Sequence, residues 1–183
     1  MAAYRGDMRR TFIALVVALL MAIPTDAAIA IPQGRIAIGD SVMLGARNEL
    51  QARNIRVLAE VSRQFNDAPA LLRYLKRNGE LRRKVIIHLG TNGILIDPQD
   101  CNAVVRIAGR HRRVYLVTIK IERSYRVTQN RRLKSCARRH ATAYLIDWYA
   151  YSQGHSSWFT GDGYHLTARG QRRYAGLLDR RSS

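Results

Sequence analysis

Acidic residues are scarce in this chain. Thirteen Asp and Glu stand against 31 Lys and Arg in 183 residues, a formal net charge of +18. So few carboxylates cannot mask the arginines, so the surface carries a strong positive field and the expected partners are anionic: nucleic acid, acidic lipid headgroups or acidic wall polymers. Clusters of His, Cys and carboxylates at metal-ligand spacing are also missing, so the sequence offers no metal site and calls for no cofactor. Beyond residue 30 no apolar run approaches the roughly 20 residues a membrane-spanning helix needs. Repeats, low-complexity tracts and linkers are absent too. A composition that is 47% hydrophobic therefore fits one compact domain, with no room for a second.

The first thirty residues narrow the choice of partner. Arg5, Arg9 and Arg10 precede an uninterrupted apolar run over residues 12–23, followed by Pro24 and the small-residue triplet Ala28-Ile29-Ala30. This is the pattern of a signal peptide, residues 1–30, cleaved after Ala30. An uncleaved anchor is the alternative, but twelve apolar residues are too few to span a bilayer. Loss of three arginines and two acids leaves a domain of residues 31–183 at +17. Export to the periplasm, cell wall or medium makes an acylated envelope glycan or other anionic polymer the expected partner, and not nucleic acid.

The remaining sequence alternates between two periods. Short β-branched runs fall at 36–38, 55–61, 85–89, 114–119 and 143–146, and segments of helical period at 44–52, 68–76, 100–109, 129–137 and 168–178. Strand–helix alternation predicts an α/β fold, a three-layer α/β/α sandwich with a five-stranded parallel sheet and right-handed crossovers. Residues 180–183 are expected to fray. Cys101 and Cys136 both fall on inner helix faces, and a disulfide between them or two buried free thiols are both compatible with that placement.

In such sheets chemistry collects beyond the carboxyl ends of the strands. The first strand runs into Gly39-Asp40-Ser41-Val42-Met43, the third into Gly90-Thr91-Asn92-Gly93, and after the fifth comes Asp162-Gly163-Tyr164-His165-Leu166. A serine hydroxyl needs a base to take its proton, and the base needs a carboxylate to fix its tautomer. Ser41, His165 and Asp162 supply these three roles. The Ser41 amide and the Asn92 side chain are candidate oxyanion donors. Asp40 reads as support for the turn, and His88, His111, His140 and His155 as non-catalytic. Trp148, Trp158, Phe159 and Tyr164 either stack on a sugar ring or close the core. Arg123 and Arg126 follow the fourth strand onto the same edge and are candidates, with Tyr164, for touching an anionic substrate.

These blocks resemble the SGNH hydrolase (GDSL esterase) superfamily. Together with Val61-Ser62-Arg63-Gln64-Phe65, His88-Leu89-Gly90-Thr91-Asn92-Gly93 and Asp147-Trp148-Tyr149, they are similar to the extracytoplasmic domain of bacterial peptidoglycan O-acetyltransferases. The resemblance implies a flavodoxin-like sheet, Ser41, Asp162 and His165 as triad, and oxyanion donors at the Ser41 amide, the amide of position 62 and Asn92. Ser62 stands where the family has glycine. The family's long membrane domain does not occur in these 183 residues, which implies a separate membrane protein as acyl donor if the reaction is transfer. Three functions follow as expectations: an exported esterase removing O-acyl, chiefly O-acetyl, groups from an envelope glycan; an O-acetyltransferase to peptidoglycan or another envelope polysaccharide; or a non-catalytic basic module binding wall polymer.

Overall fold

The structure, a computed structural model, describes residues 31–183; the expected signal segment lies outside the described residues. Five strands, β1 (Arg35–Gly39), β2 (Ile55–Ala59), β3 (Lys84–His88), β4 (Arg113–Val117) and β5 (Ala143–Ile146), form one all-parallel sheet in the order β2-β1-β3-β4-β5. The chain enters at β1, adds β2 on one side and then returns to add β3 on the other. The switch point, where a crevice opens, is therefore at the carboxyl ends of β1 and β3. Those two ends carry Ser41 and Asn92.

Alternation along each strand feeds two cores. Ile36, Ile38, Val85, Ile87, Val114 and Leu116 pack on one face against α3 (Ala68–Arg77), α4 (Pro98–Ala108) and α5 (Arg126–Arg139). Ala37, Ile86, Tyr115 and Val117 face the other way, against α1 (Ser41–Gly45), α2 (Arg47–Gln51), α6 (Trp148–Tyr151) and α7 (Ala168–Ser182). Strands buried on both faces read as continuous apolar runs, which is why 85–89 and 114–119 stand out in the sequence. Cys101 of α4 and Cys136 of α5 are joined by a disulfide with Cα atoms 6.2 Å apart.

Two elements differ most from expectation, and one open alternative is resolved. The helix expected over 44–52 is two short helices that begin earlier, at Ser41, and are separated at Ala46. The expected frayed tail is instead the last turn of α7, with Ser182 fully buried and its hydroxyl bonded to the Leu178 carbonyl at 2.7 Å. Tyr174, Leu177 and Leu178 seat that helix on the core, and the polar tail rides along. Trp148, Trp158 and Phe159 resolve in favour of the core: they are at most 9% exposed and pack as a cluster around Trp148.

Candidate active site

Asp40 begins the site by ending β1. Its carboxylate is wholly buried and caps α1, accepting the Val42 N–H at 3.0 Å. Ser41 is thereby fixed as the first residue of a helix. Gly39 is required by space: a Cβ at this position would stand 2.5 Å from the Cβ of Met43, whose side chain folds back under the turn. His88, the register neighbour of Gly39, is buried with Nδ1 2.7 Å from the Tyr174 hydroxyl. Burial pushes its imidazole pKa down, partly opposed by the charge of Asp40.

The loop between Phe159 and Leu166 presents the other two residues. An antiparallel bridge between Phe159 and Leu166 closes it, the Thr160 N–H bonds the His165 carbonyl at 2.8 Å, and Gly163 takes the turn at φ +78°. A Cβ on Gly170 would overlap the Trp158 carbonyl oxygen, so α7 holds this loop by direct backbone approach.

Inside the loop, Asp162 Oδ1 accepts the N–H groups of Tyr164 and His165, each at 3.0 Å, and the Thr160 hydroxyl at 2.9 Å. Its Oδ2 lies 2.6 Å from Nδ1 of His165. Partial burial on its own would raise the carboxyl pKa. The Tyr164 amide, the His165 ring and amide and the Thr160 hydroxyl outweigh that effect and hold it well below the usual carboxylate range. An ionised carboxylate only accepts, so Nδ1 must carry the proton and Nε2 keeps its lone pair. Nε2 stands 2.9 Å from Ser41 Oγ. The arrangement is a proton path from a hydroxyl to an oriented base.

The β2–α3 loop, tied to the end of β1 by the Glu60 N–H on the Gly39 carbonyl, carries Ser62 at φ +62°, a left-handed conformation that a non-glycine residue adopts at a cost of about 1–2 kcal/mol. That backbone explains why glycine is usual at this position in the resembled family. The loop is laced to the end of β3. Asn92 Nδ2 donates to the Arg63 carbonyl at 3.1 Å, and Gln64 Nε2 donates to the carbonyls of Ser62 at 3.2 Å and Asn92 at 3.3 Å. One N–H of the Asn92 amide is spent on this lacing, and the second has no partner among the described residues.

Some supporting residues escaped sequence reasoning. Gln129, fully buried in α5, bonds Gly90 and Ile94 carbonyls at 3.1 and 2.7 Å and the Ile96 N–H at 2.8 Å, pinning the loop that begins with Asn92. Tyr125 donates to the Thr91 carbonyl at 2.7 Å. A glutamine on the inner face of a helix, one turn before Leu133, was the available signal. Of the expected substrate contacts, Arg123 and Arg126 line a cleft with Lys120 and Tyr149, while the Tyr164 ring lies 4.3 Å from that of His165. Among the described residues no three His, Cys, Asp or Glu stand together as a metal site, and no helix is long and apolar enough to cross a membrane.

A parallel sheet in this order, with a serine after β1, an asparagine after β3 and an Asp-x-x-His loop before the last helix, is the SGNH hydrolase fold. The particular relatives are narrower. Over 144 residues, 77% of this chain, it is 33% identical to O-acetyltransferase OatA of Staphylococcus aureus, and over 145 residues, 78% of the chain, 32% identical to peptidoglycan O-acetyltransferase OatA of Listeria monocytogenes. The matched segment spans about a quarter of those proteins, 24% and 23% of their lengths. Among solved structures, the C-terminal catalytic domain of Streptococcus pneumoniae peptidoglycan O-acetyltransferase A, with a methylsulfonyl adduct, superposes with a TM-score of 0.71 at 22% identity, covering 81% of this chain and 92% of that one. A family 3 carbohydrate esterase of Clostridium thermocellum gives 0.65 at 15% identity, covering 81% and 94%. No family model matches the chain.

Proposed function

We propose that this chain is an exported serine enzyme that removes O-acetyl groups from a cell-envelope glycan through an acyl-enzyme on Ser41. The observation that carries the reading is the continuous string Ser41 Oγ, His165 Nε2, His165 Nδ1, Asp162 Oδ2, with contacts of 2.9 and 2.6 Å. His165 takes the Ser41 proton as Oγ attacks the ester carbon. The developing oxyanion meets the Ser41 amide, the amide of Ser62 and the free N–H of Asn92. Collapse breaks the bond to the sugar oxygen, which takes the proton from His165 and leaves as the hydroxyl, and Ser41 holds the acetyl group. Water activated by the same imidazole then releases acetate and restores the serine. Asp162 orients the ring throughout and stabilises its positive form.

A second reading keeps the acyl-enzyme and replaces water by a sugar hydroxyl, with the acyl group delivered by a membrane protein; the names of the relatives favour it. The segment over residues 1–30 serves as the signal for export in both. Turnover of a chromogenic acetyl ester by wild type and Ser41→Ala, with and without a chito-oligosaccharide, separates the possibilities. Ser41-dependent release that ignores the sugar is hydrolysis, and diversion into acetylated sugar is transfer. Silence from both proteins would remove the catalytic reading and leave a module that only binds wall polymer.

A further inference from the structure

Three clefts adjoin on one side of the Asp162 loop and share walls. The first, about 630 Å³, is lined by Lys120, Glu122, Gln153, Phe159 and Asp162 among others. The second, about 410 Å³, shares Lys120, Glu122 and Gln153 with it and adds Arg123, Arg126 and Tyr149. The third, about 340 Å³, shares Arg126 and Tyr149 with the second and continues along α5 past Arg131, Lys134 and Arg138. A single track thus leads from the catalytic loop down a helix face. Six cations line it, and among the described residues the only carboxylate lining it outside the catalytic loop is Glu122.

The arginines of this track are not consumed by the fold. Helix α5 sorts its arginines: Arg132 donates to the Ile96 carbonyl at 2.6 Å and Arg139 to the Ser135 hydroxyl at 2.6 Å. Arg131 and Arg138, on the track, are exposed and make no side-chain hydrogen bond or ion pair among the described residues, and neither does Arg123. Arg126 lies over the Tyr149 ring with Cζ 4.2 Å from its centroid, a contact that holds the guanidinium without spending its N–H groups. Lys134 is tied to Asp147 at 3.1 Å and Lys120 loosely to Glu122 at 3.5 Å.

Arg131, Lys134 and Arg138 share one face of α5 at i, i+3 and i+7, which places the two arginines about 10 Å apart along the axis. A guanidinium fork donates two parallel N–H bonds to a carboxylate. Charges at that separation suit a strand bearing one acid on every second sugar; the phosphates of a nucleic-acid strand recur about every 3.4 Å. We propose that this track is a binding site for an extended, carboxylate-bearing glycan strand that lies along α5 while its acylated sugar reaches Ser41. The inference rests on the catalytic reading of Ser41 and adds the charge, extent and path of the substrate.

The test uses two double variants of equal charge: Arg131→Gln/Arg138→Gln on the track, and Arg83→Gln/Arg110→Gln beside the amino ends of β3 and β4, at the far edge of the sheet. A fluorescein-labelled hyaluronan oligosaccharide, which bears one carboxylate on every second sugar, is titrated by anisotropy, and turnover of a small neutral acetyl ester is measured on the same samples. The track variant is expected to bind about tenfold more weakly with ester turnover unchanged, and the control to stay within about twofold. Equal losses in both variants, unimpaired binding by the track variant, equal binding of neutral chitohexaose, or tighter binding of poly(glycerol phosphate) would each overturn the track. Wild-type protein without Ser41-dependent ester turnover would instead overturn the catalytic reading beneath it.

Discussion

Ser41 Oγ and His165 Nε2 stand 2.9 Å apart although 124 residues separate them. Two rigid devices bring them together: the buried Asp40 cap that starts α1 after β1, and the bridged loop between Phe159 and Leu166 that α7 presses against the core. Because the site is held by backbone structure, substitutions of its side chains are expected to alter chemistry more than folding.

Asp162→Asn tests the orientation of the base. The amide cannot hold Nδ1–H in the same tautomer, and kcat is expected to fall by about four orders of magnitude. The substitution also has a stability signature. Asp162 is held below the carboxylate range in the folded chain, so between its folded value and about pH 4 the unfolded chain binds more protons. Stability from this group is present above that window and is lost as the pH falls through it. Urea unfolding of the two proteins should therefore differ most near neutral pH, with the gap closing on acidification; a gap that widens at low pH would contradict the assignment.

The proposed oxyanion donors, the Asn92 side chain and the Ser62 amide, make separable predictions. Asn92→Ala removes a side-chain donor and is expected to lower kcat by about 10²- to 10³-fold with little change in KM. Ser62 acts through its backbone, so Ser62→Gly should keep activity within about twofold and tolerate φ +62° without strain. Ser62→Val places a β-branched residue there and should lie at least about 1–2 kcal/mol below Ser62→Gly in thermal unfolding. Loss of activity in the glycine variant would move the donor role to the Ser62 hydroxyl.

The disulfide is remote from the chemistry. Cys101 and Cys136 close a 35-residue separation between α4 and α5, on the sheet face opposite α1 and α7. Cys101→Ala/Cys136→Ala is expected to lower unfolding free energy by about 3–4 kcal/mol in the chain-entropy model while leaving ester turnover at 25 °C unchanged, as read by guanidinium unfolding and initial rates. A proportional loss of activity would mean that the α4–α5 pair positions the Asn92 loop through Gln129.

The sequence made some of this legible and not the rest, for identifiable reasons. The sheet was readable because its central strands are buried on both faces and are continuously apolar, as in Val85-Ile86-Ile87. The residues Ser41, Asn92, Asp162 and His165 were readable because each follows a strand end or a glycine turn. The split between α1 and α2 at Ala46 was not, since alanine carries no stop signal. Nor was the lacing of Gln64, Asn92 and Gln129, because long-range side-chain bonds to carbonyls leave no periodicity. The buried end of α7 was obscured by its arginines, which sit on the outer face while Leu178 and Ser182 turn inward. The α5 track was split in the sequence among separate charge runs that only the fold aligns.

The most direct measurement is the intact mass of the protein quenched during turnover of an acetyl ester. An acyl-enzyme on Ser41 would give an increment of one acetyl group, mapped by peptide fragmentation to Ser41, prolonged in Asn92→Ala and absent in Ser41→Ala. Ester turnover with no adduct at any time, or an adduct that persists in Ser41→Ala, would contradict it.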